Sequence, residues 1–265
     1  MNSSRNHPIG IFDSGIGGIA IARKIRELLP AESILYVADT QHAPYGEKSD
    51  DYILQRSVAI TDFLIAHQAK AIVVACNTAT TSCIAQLRAR YDIPFIGVEP
   101  GVKPAVLHSQ SGVVGILATP KTLTTRSFSS LTERFSSQVK VEVMPCPDLV
   151  TQVEALGLAF NEAEPVVRKY VAPLLAKGAD TLVLGCTHYS HLAPVIAAVA
   201  GPQVRIVSTE EPVAREARRR LESAGLLCDS QQAGNACFYT SGSLPLFQQQ
   251  VARLWGASSA VLPLN

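Results

Sequence analysis

Short apolar runs alternate along this chain with longer stretches in which apolar residues recur at helical spacing. The runs Ile9–Phe12, Ile34–Ala38, Ala71–Ala75, Phe95–Val98, Val113–Ala118, Val139–Met144, Thr181–Gly185 and Val204–Val207 predict strands. Near-continuous apolar runs of this length suit strands covered on both faces. Between them, Ile19–Leu29, Asp51–His67, Thr80–Tyr91 and Pro165–Lys177 predict amphipathic helices. Strand, helix and strand in succession read as βαβ units, so the pattern predicts an α/β fold with largely parallel sheets.

Parallel sheets place chemistry in the loops after the strand C-termini. Here those loops hold Asp13-Ser14-Gly15-Ile16-Gly17-Gly18, Asp39-Thr40-Gln41-His42-Ala43-Pro44-Tyr45-Gly46, Cys76-Asn77-Thr78, Thr119-Pro120-Lys121-Thr122 and Cys186-Thr187-His188. Two of them match. In each, a buried strand ends in Cys, a Thr follows within two positions, and a helix is expected next. The two cysteines lie 186 − 76 = 110 residues apart. That spacing predicts two related halves, each offering one thiol to a shared cleft. Pro100 and Gly101 punctuate a boundary near Glu99–Lys103. The segment 210–265 is expected to pack back on the first half, which gives one discontinuous domain of 1–98 plus 210–265 and a second of 99–209.

Composition narrows the function classes. Apolar residues make up 47% of 265 and charged residues 17%, enough for a sizeable core. The net charge of +1 advertises no nucleic-acid or anionic-membrane partner. The start of the chain lacks an apolar signal segment, and no apolar run approaches the ~18 residues of a membrane span. A cytoplasmic protein is therefore expected. Cysteines stand at 76, 83, 146, 186, 228 and 237 with no Cys-x-x-Cys pair, so zinc ribbons and thioredoxin-like sites are unsupported. Most of the six read as small buried apolar residues.

Cys76 and Cys186 read differently because their contexts match. A thiol at a helix N-terminus meets unpaired N–H groups and the positive dipole end, which lowers its pKa from about 8.5. Two such thiols could act as a pair of bases on one small substrate, one removing a proton and the other supplying one to the opposite face. Gly15-Ile16-Gly17-Gly18-Ile19-Ala20 offers a rival, since it fits the degenerate dinucleotide fingerprint and Asp39 falls near the expected offset for a ribose-binding acid. Against it, Asp13 would set a carboxylate beside a pyrophosphate. The same helix start could instead receive a substrate carboxylate through Ser14. His188, two residues after Cys186, reads as its proton-transfer assistant. Glu154 lies in a helical stretch, Val150–Leu158, where a solvated face is the plain alternative. Arg215, Arg218, Arg219 and Arg220 alternate with Glu216 and Glu222 as an ordinary charged helix face. His7, His42, His67, His108 and His191 share no metal-ligand spacing.

Asp13-Ser14-Gly-Ile-Gly-Gly, Ala43-Pro44-Tyr45-Gly46, Ala75-Cys76-Asn77-Thr78-Ala79 and Gly185-Cys186-Thr187-His188-Tyr189 together resemble the glutamate racemase family. The resemblance implies two αβα three-layer domains, pseudo-symmetric and facing each other across a cleft. It implies a cofactor-independent, metal-free, two-base isomerase supplying D-glutamate for peptidoglycan, with a homodimer as a family-level expectation. Carried onto the matching positions, Cys76 is the base towards D-glutamate, assisted by Asp13. Cys186 is the base towards L-glutamate, assisted by His188, and Glu154 matches an acidic residue beside it. Ser14, Pro44, Tyr45, Gly46, Asn77, Thr78, Thr119, Thr122 and Thr187 line the substrate. Asn77, Thr78 and Thr187 are expected as donors to its carboxylate. Ser190 replaces a usual Pro, and Ser208-Thr209-Glu210 stands where the family tends to carry Asp-Ser. The rivals are an aspartate or hydantoin racemase of the same fold, an NAD-dependent oxidoreductase built on Gly15–Ala20, and a non-catalytic amino-acid-binding protein.

Overall fold

The structure is a computed structural model and describes residues 3–155, 160–256 and 259–264. The chain clusters into two compact units, one of residues 1–98 with 210–265, the other of residues 99–209.

In the first unit six parallel strands run in the order β10-β9-β2-β1-β3-β4. They are β1 (Ile9–Asp13), β2 (Ile34–Ala38), β3 (Ala71–Val74), β4 (Phe95–Gly97), β9 (Ala236–Thr240) and β10 (Ala260–Pro263). The three central strands are buried at every position, as their unbroken apolar runs predict. On one face, Phe12, Val37, Ile72 and Val74 pack against Ile53, Ile60 and Leu64 of α2 (Asp50–Ala66) and Ala79, Cys83 and Leu87 of α3 (Asn77–Arg90). The other face is covered by α1 (Ile19–Leu28), itself packed against α10 (Glu210–Ser223) and α11 (Leu244–Trp255). There the Tyr36, Phe238 and Trp255 rings stack in sequence at centroid distances of 5.7 and 5.2 Å. Each fully buried Ile or Phe in these layers contributes about 1.5–3 kcal/mol relative to exposure.

The second unit has four parallel strands in the order β6-β5-β7-β8. They are β5 (Val113–Ala118), β6 (Lys140–Pro145), β7 (Thr181–Leu184) and β8 (Arg205–Val207). Val114, Ile116 and Ala118 of β5 and Val183 of β7 cluster with Val102 and Val106 of α4 (Val102–His108) and Phe128 of α6 (Arg126–Glu133). Gly115, on the opposite face, lies under Leu174 of α8 (Phe160–Ala176), which packs on α9 (Ala193–Ala200).

Strand order is the same in the two units once β9 and β10 are set aside: second, first, third, fourth. The two thiol loops follow the third strand in both. The order reverses between the first and third strands, the point at which sheets of this kind place their ligand sites. Asp13, Ser14 and Cys76 stand at one switch point, and Thr119, Thr122 and Cys186 at the other.

Several expectations are corrected. β9 and β10 are strands that the apolar pattern did not predict. β6 and β8 are edge strands, half exposed rather than covered on both faces. Helix α3 starts at Asn77, three residues before the expected Thr80, because Cys76 is its N-cap. Helix α8 starts at Phe160, five residues early, so Pro165 lies inside it rather than opening it. Of the stretch Val150–Leu158, α7 (Pro147–Glu154) accounts for the part up to Glu154, and residues 156–159 lie outside those described.

Candidate active site

The loop after β1 is built around the buried Asp13 carboxylate. Its Oδ1 accepts from the Ser14 amide at 2.7 Å and the Ser14 hydroxyl at 3.3 Å, and its Oδ2 accepts from the Gly18 amide at 2.6 Å. Gly18 is required here, because a Cβ would come within 2.9 Å of the Ala75 side chain. Cys76 ends the β3 loop, 5% exposed. Its thiol donates to the Ser14 hydroxyl at 3.8 Å, and its sulfur accepts from the Ala79 amide at 3.4 Å. The sulfur therefore caps α3 at the positive end of the helix, where a thiolate is favoured. The result is a relay from thiol to hydroxyl to carboxylate: Cys76, Ser14, Asp13.

Asn77 and Thr78 open α3 and are buried. The Asn77 amide nitrogen donates to the Val98 carbonyl at 3.3 Å, while its Oδ1 is buried without a partner. The orphaned Asn77 Oδ1 is an acceptor. In the β2 loop, Tyr45 is buried while Pro44 and Gly46 are half-buried, and the Ala43–Pro44 peptide is cis. The Tyr45 hydroxyl donates to Asp39 Oδ2 at 2.6 Å. Burial, and then the Asp39 charge, push the phenol's pKa well up.

In the second unit, Cys186 is 7% exposed and follows β7. A six-residue 3-10 turn, Thr187–Leu192, succeeds it in place of the expected α-helix, and Cys186 makes no side-chain cap bond there. Its polar partner is a side chain instead. Cys186 Sγ lies 3.8 Å from His188 Nδ1, and His188 Nε2 lies 2.6 Å from Glu154 Oε1. Burial alone would lower the His188 pKa; the hydrogen bonds to Cys186 and Glu154 and their charges outweigh it and hold the imidazole well above its ordinary value. This is a second relay to a carboxylate: Cys186, His188, Glu154. The Glu154 side chain is only 19% exposed, so the solvated-face alternative does not describe it.

Thr119 caps α5 (Pro120–Leu123) through the Thr122 amide at 3.3 Å, and the two hydroxyls are 2.9 Å apart. Both are buried, as is Thr187. The Tyr189 hydroxyl, buried, donates to the Cys146 carbonyl at 2.7 Å and ties the Cys186 turn to the start of α7. Tyr189 stands inside the Cys-Thr-His-Tyr motif, and only the fold shows it as an anchor of this turn. Of the remaining cysteines, Cys83 is a core thiol pushed up to about 11 by burial, and Cys146 is likewise driven up by burial.

The dinucleotide reading loses both groups it needed. Asp13 occupies the Ser14 and Gly18 amides that a pyrophosphate would use, and Asp39 is spent on Tyr45 and Arg56. Among the described residues, no three His, Cys, Asp or Glu side chains converge as metal ligands, and no helix is long and apolar enough to cross a membrane.

Fold and loops together define an α/β enzyme with a buried thiol after the third strand of each of two sheet units. A sequence model of the Asp/Glu/Hydantoin racemase family matches residues 9–226, and the chain belongs to this family of isomerases. A relative spanning it almost end to end is the glutamate racemase of Methylococcus capsulatus, 49% identical over 99% of this chain and 97% of the relative. Among solved structures, glutamate racemase isoform RacE1 from Bacillus anthracis superposes with a TM-score of 0.90 at 32% identity, covering 98% of each chain. The Escherichia coli glutamate racemase, solved with L-glutamate and the activator UDP-MurNAc-ala, gives 0.85 at 31% identity over 97% of each.

Proposed function

We propose that this chain interconverts L- and D-glutamate by two-base proton transfer at the α-carbon without a cofactor, with Cys76 and Cys186 as the bases. The observation that carries the reading is the repeated relay. Each thiol follows the third strand of a matching sheet, and each is linked through one polar side chain to a buried or nearly buried carboxylate. From L-glutamate, the Cys186 thiolate takes the α-proton, the electron pair passes into the substrate carboxylate, and the Cys76 thiol returns a proton to the opposite face. The enzyme is left with Cys186 protonated and Cys76 ionised, the state that accepts D-glutamate. Asp13, acting through Ser14, and Glu154, acting through His188, steady the two thiols in turn.

An α-proton is far less acidic than a thiol, so the developing enolate charge needs donors in a water-poor site. Thr78, Thr187, Thr119 and Thr122 supply hydroxyls, Ser14, Pro44, Tyr45 and Gly46 shape the β1 and β2 loops, and Asn77 Oδ1 receives the ammonium. The full-length likeness to glutamate racemases favours glutamate over aspartate or a hydantoin. We place the enzyme in the cytoplasm, as a source of D-glutamate for peptidoglycan.

The test uses purified protein, L-glutamate and deuterated buffer with no added pyridoxal phosphate or metal. Optical rotation is expected to decay to zero as deuterium replaces the α-proton in the NMR spectrum. Cys76→Ala and Cys186→Ala are each expected to lose racemisation by at least about a thousand-fold, as for other groups acting as a unit. Full activity in Cys76→Ala ends the two-base scheme. Aspartate in a parallel arm reports substrate choice.

A further inference from the structure

Asp39 is buried at the end of β2, and no step above uses it. Both its oxygens are engaged. Arg56 of α2 donates Nε to Oδ2 at 2.9 Å and Nη2 to Oδ1 at 2.8 Å, a bidentate pair, and the Tyr45 hydroxyl shares Oδ2. The Asp39 amide donates to the Asp13 carbonyl at 3.0 Å, so this network is laced to the loop that carries the Asp13 relay. The Tyr45 ring lies in the buried cluster that also holds Cys76 and Ala79.

We propose that Asp39 and Arg56 are positioning residues for substrate binding on the Cys76 side: the guanidinium fixes the carboxylate, and the carboxylate fixes Tyr45 and with it the loop 43–46 that meets the substrate. The inference rests on the racemase reading above. A buried carboxylate without a partner is costly, so Asp39 depends on Arg56. The bidentate fork leaves that carboxylate one orientation, which a point cation would not impose. The Tyr45 proton is committed to Asp39, so the phenol serves as a strut and not as an acid.

A plain staple between α2 and β2 would contribute stability alone. The experiment separates the two with steady-state glutamate racemisation and thermal unfolding of the full chain. Asp39→Asn and Tyr45→Phe are each expected to raise KM by about ten-fold or more, the scale of a lost charge-assisted hydrogen bond, with kcat nearly unchanged. The double variant is expected to match the worse single one, because the two groups act through one bond. In Arg56→Ala, added guanidinium at non-denaturing concentration is expected to restore KM saturably, since the Arg56 side chain is 24% exposed and its site can be reached. It is expected to do nothing for Arg56→Ala/Tyr45→Phe. If Asp39→Asn does not fold, the Arg56 and Tyr45 variants complete the same cycle. Multiplicative effects in the double variant, or wild-type KM in a folded Asp39→Asn, overturn the inference. Cys76→Ala in the same assay keeps the two claims apart. If it stays active the racemase reading fails, whereas an inactive Cys76→Ala beside a wild-type-like Asp39→Asn sinks this inference alone.

Discussion

Cys76 and Cys186 stand at equivalent places in their sheets, yet different chemistry prepares them. Cys76 draws on helix N–H groups and a hydroxyl, Cys186 on an imidazole held by a carboxylate. Only the second arrangement contains an imidazole. The His188 pKa is raised above 6.5, so the stabilising effect of its proton is complete below that value and is lost as pH rises through the raised folded value. Replacing Glu154 by Gln removes one charge that raises it and weakens the hydrogen bond to Nε2. In Glu154→Gln the His188 ring signal is expected to titrate at lower pH by NMR, and the alkaline limb of kcat is expected to move the same way. An unmoved titration would show that Glu154 does not hold the imidazole. The two cysteines were legible because identical strand-end contexts recur, and Glu154 because the family motif carried it. Arg56 was not legible. It is one polar position on a long helix, and only the fold brings it to the end of β2.

Element boundaries follow from local caps, and here too some were visible in the chain and others not. The central strands announce themselves as unbroken apolar runs. β9 and β10 do not: β10 is a half-exposed edge strand ending in Pro263, where pairing with β9 rather than apolar content decides the conformation. Gly185 joins β7 to the Cys186 turn with no room for a side chain. A Cβ there would lie 2.8 Å from the Leu117 carbonyl oxygen, a backbone atom that cannot step aside. Gly185→Ala is therefore expected to push the turn off β5, costing about 1–3 kcal/mol in urea unfolding and a larger share of activity. Asp180, just before β7, holds the end of α4. It accepts from the Gln110 and Ser111 amides, both at 2.6 Å, and from the Ser109 and Thr181 hydroxyls. Burial would raise its pKa, but these donors outweigh it and set the carboxyl at about 2. The stability it confers is present above the unfolded value near 3.8 and is lost as pH falls through about 2. Asp180→Asn is expected to cost about 1–2 kcal/mol near neutral pH. The gap from wild type should close on acidification, as followed by chemical unfolding across that range.

At the scale of the molecule, the chain leaves its first unit after residue 98 and re-enters it at residue 210. The returning segment supplies the neighbour of β2 and the helices that cover α1. Residues 99–209 carry their own sheet and both helix layers. We expect a fragment of those residues to fold alone, with dispersed amide NMR signals and cooperative thermal unfolding; a disordered fragment would refute this. A chain cut after residue 209 is expected to lose its first 98 residues to limited proteolysis and keep the second unit. The same topology imposes an order on biosynthesis. The strand Ile34–Ala38 leaves the ribosome roughly 200 residues before its partner Ala236–Thr240. At about 5–20 residues per second, that edge waits on the order of ten seconds or more unpaired. Folding yield is thus expected to depend on translation speed more than the final stability would suggest.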